Sequence, residues 1–159
     1  MYIIEIPTQF AKADGKPFLK VKMSSDGKPV RAMDDKGNPI SFNDDKGNQV
    51  SDYETTEANY IEMLTFFINN LFDLVAIKSR DNKEIKPLKS EDSAFALDVF
   101  RAIHAAKDII VLERTAYEWV QRMLNNYGVD VFGVNQAVII EPIKKATEKE
   151  ASGATYVSK

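Results

Sequence analysis

Residues 60–77 read YIEMLTFFINNLFDLVAI. The apolar positions Tyr60, Ile61, Met63, Leu64, Phe66, Phe67, Ile68, Leu71, Phe72, Leu74 and Val75 cover far more than one face of a helical wheel. A helix that is apolar almost all round must be buried on several sides. Two uses follow for it. It is either a central core helix wrapped by the other helices of the chain, or it leaves part of its surface, around Phe66, Phe67 and Phe72, as a face for a partner or a second copy. Both can hold at once. Glu62, Thr65, Asn69, Asn70 and Asp73 interrupt the stretch, which argues against a membrane span.

Upstream, Ser51-Asp52-Tyr53-Glu54 has the spacing of a capping box, so the helix is expected to run from about Asp52 to Ala76. Before it the chain repeats a turn signal at Asp14-Gly15-Lys16-Pro17, Asp26-Gly27-Lys28-Pro29, Asp35-Lys36-Gly37-Asn38-Pro39 and Asp45-Lys46-Gly47-Asn48. Short apolar segments lie between these signals. Glycine supplies the positive φ of tight turns and Asp or Asn tolerates the left-handed region, which is hairpin chemistry. The expectation is a small β-meander or β-arm that buries little area of its own and is either mobile when isolated or ordered by a neighbouring chain. Met1 to Ile6 reads as a short strand closed by Pro7, at the edge of a sheet.

Downstream, the polar run KSRDNKEIKPLK ends the long helix, and Ser90 caps a second that extends to about Ala106. Ile109-Ile110-Val111-Leu112 is β-branched enough for a strand. Thr115 to Glu118 has capping-box spacing before a helix that stops at Gly128, and a last helix spans about Gly133 to Glu141, ended or kinked by Pro142. The fold class is therefore α+β, a turn-rich antiparallel β region followed by a bundle of about four helices. The expected organisation is a β subdomain over 1–51, a helical domain over 52–150 and a polar tail over 151–159.

The chemistry of the sequence is sparse. With 21 Lys and Arg against 24 Asp and Glu the net charge is −3, and the charges are interspersed. Phosphate neutralisation needs a clustered basic face, so direct nucleic-acid binding is not expected. Lys144, Lys145 and Lys149 do gather, but Glu148 and Glu150 lie among them. Without cysteine there is no thiolate nucleophile, disulfide or cysteine metal site. The sole histidine, His104, falls near the end of a helix, where it meets the C-terminal partial charge. The Asp34-Asp35-Lys36-Gly37 and Asp44-Asp45-Lys46-Gly47 loops place Lys at the third position, where a calcium loop needs an oxygen ligand, and Gly at the fourth instead of the sixth, so they read as turns.

Gly15-Lys16 and Gly27-Lys28 precede proline and open no helix, which removes a P-loop. The carboxylates Glu91, Asp92, Glu113 and Glu118 fall at helix starts, where they are stabilising on their own account. Tyr117, Trp119 and Tyr127 at helical spacing suit core packing better than a stacking platform. No catalytic residue, cofactor-binding residue or metal ligand is expected, and no cofactor. MYIIEIPTQF lacks the basic start and long apolar run of a secretory signal.

ALDVFRAIHAAKDIIVLE, followed by YEWVQRMLNNYG and VFGVNQAVIIEPI, resembles a pattern in small uncharacterised proteins of tailed bacteriophages and prophages, over residues 56 to 143. The resemblance implies an accessory or assembly role and transfers no functional residue. The functional expectation is a non-enzymatic phage structural or assembly protein, a minor virion, connector or assembly component. It would act in multiple copies through contacts with itself or other viral proteins, in the host cytoplasm and the virion. The alternative is a small phage-encoded regulator or inhibitor of a host protein. Phe66, Phe67, Phe72 and Trp119 are the candidate interaction residues.

Overall fold

The capping box that starts the long helix lies at Asn59 and Glu62. In the computed structural model, which describes residues 1–149, Asn59 Oδ1 accepts from the Glu62 amide at 2.8 Å and Glu62 Oε1 accepts from the Asn59 amide at 3.1 Å. Both amides would otherwise be orphaned at the helix start. Ser51, the expected cap, instead ends a strand, because the backbone from Gln49 to Ala58 is taken up by pairing with segments before it. The helix is therefore eight residues shorter at its start than its sequence signal suggested.

The elements run β1 (Tyr2–Glu5), β2 (Leu19–Val21), β3 (Ser41–Asn43), β4 (Gln49–Ser51), β5 (Thr55–Glu57), α1 (Tyr60–Asp81), α2 (Ser90–Ala105), β6 (Ile109–Leu112), α3 (Arg114–Phe132), α4 (Gln136–Lys144) and β7 (Thr147–Glu148). They fall into two compact units. One comprises Met1–Lys16 and the chain from Asn59 onward, and the other is Pro17–Ala58. The division thus differs from the expected one after residue 51. The first strand belongs with the helices, and the hairpin region is an insertion between them. The expected polar tail lies outside the described residues.

In the helical unit β1 is the middle strand of an antiparallel sheet ordered β6-β1-β7. This corrects the expectation of an edge strand. Pro7 does close the strand, but Tyr2 and Ile3 already pair on both sides. On the face turned to the helices, Ile4 lies opposite Ile110 and Tyr2 opposite Leu112, and the Tyr2 ring stacks on Tyr117 at 3.9 Å. The other half of the core comes from the helices, with Phe67 and Leu71 of α1, Val99 of α2, Trp119 and Leu124 of α3, and Ile139 of α4 all buried.

Three long helices make up this layer, and α4 is a nine-residue segment joined to α3 by a 3-10 turn. A bundle of about four comparable helices is not what forms. Helix α3 does not stop at Gly128 but continues to Phe132 and ends where Gly133 takes φ +58. Gly128 is kept for packing, since a Cβ there would lie 2.5 Å from Gln136 Cγ. Pro142 sits inside α4 and does not end it. Its missing N–H frees a carbonyl one turn back. Around it the Tyr60 hydroxyl donates to the Ile139 carbonyl at 2.7 Å and the Tyr117 hydroxyl to the Ile143 carbonyl at 2.6 Å.

By length and composition α1 would suit a membrane span. Seven of its side chains are buried core residues, which is also what the central helix of a folded unit looks like.

The insertion is built from three-way branches. Lys22 N–H donates to the Glu54 carbonyl at 2.9 Å, Glu54 N–H to Val30 at 2.8 Å, and Val30 N–H to Lys22 at 2.9 Å. A second closed triad follows, in which Ala32 donates to Asp52 at 3.1 Å, Asp52 to Ile40 at 3.0 Å, and Ile40 to Ala32 at 2.9 Å. At each triad a hairpin leaves the stem formed by β2 and β5, and the stem ends in the β3-β4 hairpin. This is a branched ladder, not a meander.

Turn chemistry sets the branches. Asp34 N–H bonds the Asn38 carbonyl at 2.9 Å, Gly37 N–H bonds Asp34 at 3.0 Å, and Asp44 to Asn48 repeats the pattern. This is a type I turn closed by a left-handed residue, and Gly37 has φ +80. Asp34 Oδ1 accepts from the Lys36 and Asn38 amides at 2.9 and 2.8 Å, which holds its carboxyl below the ordinary value. Pro29 and Pro39 face Met23 and Met33 in bridges whose hydrogen bonds fall on the neighbouring residues, so no ladder donor is lost.

Candidate functional site

The four residues singled out from the sequence separate. Phe67 and Trp119 are completely buried. They belong to the core and cannot form a contact face in this fold. Trp119 spends its indole N–H on Asp92 Oδ1 at 2.9 Å, and the Phe67 ring lies 6.0 Å from that of Phe132. Phe72 is half-buried, against a shallow hollow of about 290 Å³ lined also by Ala96, Leu97 and Phe100. Phe66 is 49% exposed, beside Phe132. Only this last residue offers a substantial apolar surface on α1 among the four.

The sole histidine and the carboxylate of Asp92 are occupied in building the fold. His104 is in the last turn of α2, with Nδ1 2.7 Å from the Phe100 carbonyl. Asp92 Oδ2 accepts from the Lys89 amide at 2.7 Å, whereas Glu113 stands at the N-cap position of α3 without a side-chain capping bond. A hollow of about 670 Å³ runs between residues 5–11 and α4. Glu5 and Glu141 both line it, and Glu141 is held below its ordinary pKa by a hydrogen bond from Lys145 at 2.7 Å. Among the described residues no three His, Asp or Glu side chains converge as a metal site.

The surface that sequence reasoning missed is on the insertion. Side chains alternate along a strand, so Leu19, Val21 and Met23 share one face. Val21 lies opposite Thr55 and Arg31 opposite Tyr53, which puts Tyr53 and Met33 on that face too. All five are exposed, with Met23 at 54% and Met33 at 51%. The face carries one cation, Arg31, whose guanidinium lies over the Tyr53 ring 5.8 Å from its centroid and donates to the Ile40 carbonyl. On the opposite face Phe42 is 53% exposed. Phe18 and Ala58, at the two ends of the insertion, are its only buried apolar residues.

The alternation of Leu19, Val21 and Met23 was the signal available in the sequence. It reads as an ordinary half-buried strand until the absence of a second layer is known. No family model, curated protein or solved structure matches the chain.

Proposed function

We propose that the chain is a non-enzymatic phage assembly component that works in multiple copies, through contacts with itself and with other viral proteins. One observation carries this reading. The insertion is a single-layered ladder whose face of Leu19, Val21, Met23, Met33 and Tyr53 has nothing of the insertion packed over it. Sheets are stable when a second layer covers an apolar face, and each large apolar side chain covered contributes about 1.5–3 kcal/mol. A face with this composition is a contact surface. The phage setting comes from the resemblance of the helical part to small phage proteins.

Sedimentation velocity of the full chain together with mass spectrometry of purified virions tests the proposal. Concentration-dependent association, or recovery with other virion proteins, supports it. A monomer at all concentrations that captures one stoichiometric host enzyme would make the chain a regulator instead.

A further inference from the structure

Strand β6 is an edge of the three-stranded sheet, and its hydrogen-bonding parity is fixed. The Ile6 amide donates to the Asp108 carbonyl at 2.9 Å, and Ile4 lies opposite Ile110. In an antiparallel ladder hydrogen-bonded pairs alternate with non-bonded ones. Asp108, Ile110 and Leu112 therefore address β1, while Ile109 and Val111 turn N–H and C=O outward. Their side chains are exposed, whereas those of Ile110 and Leu112 enter the core. Beside this edge lies a hollow of about 520 Å³ bordered by Ala102, Ala105 and Ala106.

Natural sheets protect such edges with charge, proline or a bulge. Ile109-Ile110-Val111-Leu112 has none of these. We infer that β6 pairs antiparallel with β6 of a second copy, joining two three-stranded sheets into one of six strands. The proposal rests on the reading of the chain as a contact-driven protein and names one of its partners.

The sequence around the edge selects a second copy and its register. Outward groups must meet outward groups, so Ile109 can lie opposite Val111 of the second copy, or either residue opposite itself. With Ile109 opposite Val111 the two-fold axis passes through Ile110. Ile109 then meets Val111 on one face and Ile110 meets Ile110 on the other, with Asp108 opposite Leu112 at the two ends. Lys107 and Glu113 of the second copy flank the paired strands at both ends, outside the ladder itself, so opposite charges border the pair. Placing Val111 opposite itself would require Glu113 to pair, yet its carbonyl already accepts from the Tyr117 amide at 2.9 Å. Placing Ile109 opposite itself would extend pairing into the bend at Lys107 and Asp108.

Register-specific crosslinking tests this, because the natural chain has no cysteine. Directly opposed residues of a bonded pair have Cα atoms about 5.5 Å apart, within disulfide reach. Ile109→Cys and Val111→Cys are made separately in a Met23→Lys, Met33→Lys background, so that the insertion face does not contribute. Both sites are exposed, and circular dichroism checks that each variant is folded. Mixing the two under mild oxidation is expected to give a crosslinked dimer, at least about tenfold above either variant alone. Absence of the crosslink in the mixture, or equal crosslinking of a single variant with itself, overturns the proposal. Val111→Pro removes one outward donor and no bond to β1, and should weaken dimerisation about tenfold by sedimentation. Failure of these tests with association retained in the parent chain would leave the broader assembly reading intact.

Discussion

Trp119 donates its indole N–H to Asp92 Oδ1 at 2.9 Å, while Asp92 Oδ2 accepts from the Lys89 amide at 2.7 Å. One carboxylate thus caps the start of α2 and ties it to the buried face of α3. Asp92→Ala removes the cap and strands a buried donor, with an expected cost of about 2–4 kcal/mol. Asp92→Asn keeps an acceptor oxygen and costs less. Urea denaturation followed by Trp119 fluorescence checks both, since the chain has one tryptophan.

Tyr60 is buried and its hydroxyl serves the Ile139 carbonyl beside Pro142. Tyr60→Phe should destabilise by about 1–2 kcal/mol, because a buried hydrogen bond to the Ile139 carbonyl is lost. Burial pushes the phenol pKa well above its ordinary 10.0. The folded chain keeps this proton where the unfolded chain releases it. The stability contributed is complete below about pH 10 and falls as pH rises beyond that. Denaturation midpoints on either side of that pH, with tyrosinate absorbance recorded in parallel, give the sign directly. The decline is expected to be smaller in Tyr60→Phe.

Gly128→Ala would gain helix propensity in α3, yet its Cβ would sit 2.5 Å from Gln136 Cγ. Gln136 is held by its own bond to the Leu124 carbonyl at 3.1 Å. Overpacking therefore prevails, with a net loss of about 1–3 kcal/mol. Gly128→Ala combined with Gln136→Ala relieves the clash, and the coupling appears as non-additivity in a double-mutant cycle.

Gly37 poses the opposite problem. A Cβ there meets nothing within 4 Å, but φ is +80. Gly37→Ala should cost about 1–2 kcal/mol through backbone strain alone, and Gly37→Asn less. Thermal unfolding of the three chains ranks them.

How far the fold could be read from sequence varies by element. The β6 strand, the second helix and the hairpin turns are visible because their signals are local, in β-branching, a polar break and glycine spacing. The start of α1 is not, because Ser51 and Glu54 carry a genuine capping pattern that strand pairing overrides, while Asn59 and Glu62 carry another eight residues later. The central position of β1 depends on partners more than a hundred residues away, which no local pattern encodes. Among the candidate contact residues, periodicity marked Phe66, Phe67 and Trp119 alike as apolar. Their separation into surface and core is a property of packing. The ladder face was hidden for the same reason, since alternation says which residues share a face and not whether anything covers it.

The exposed face of Leu19, Val21, Met23, Met33 and Tyr53 as a protein contact surface is the centre of the account. Sedimentation velocity of the full chain over about 1–100 µM, beside the Met23→Lys, Met33→Lys variant, addresses it most directly. The expected result is reversible association in the parent chain that shifts to at least about tenfold higher concentration in the variant. A parent chain of monomer mass at every concentration, sedimenting identically to the variant, would contradict it.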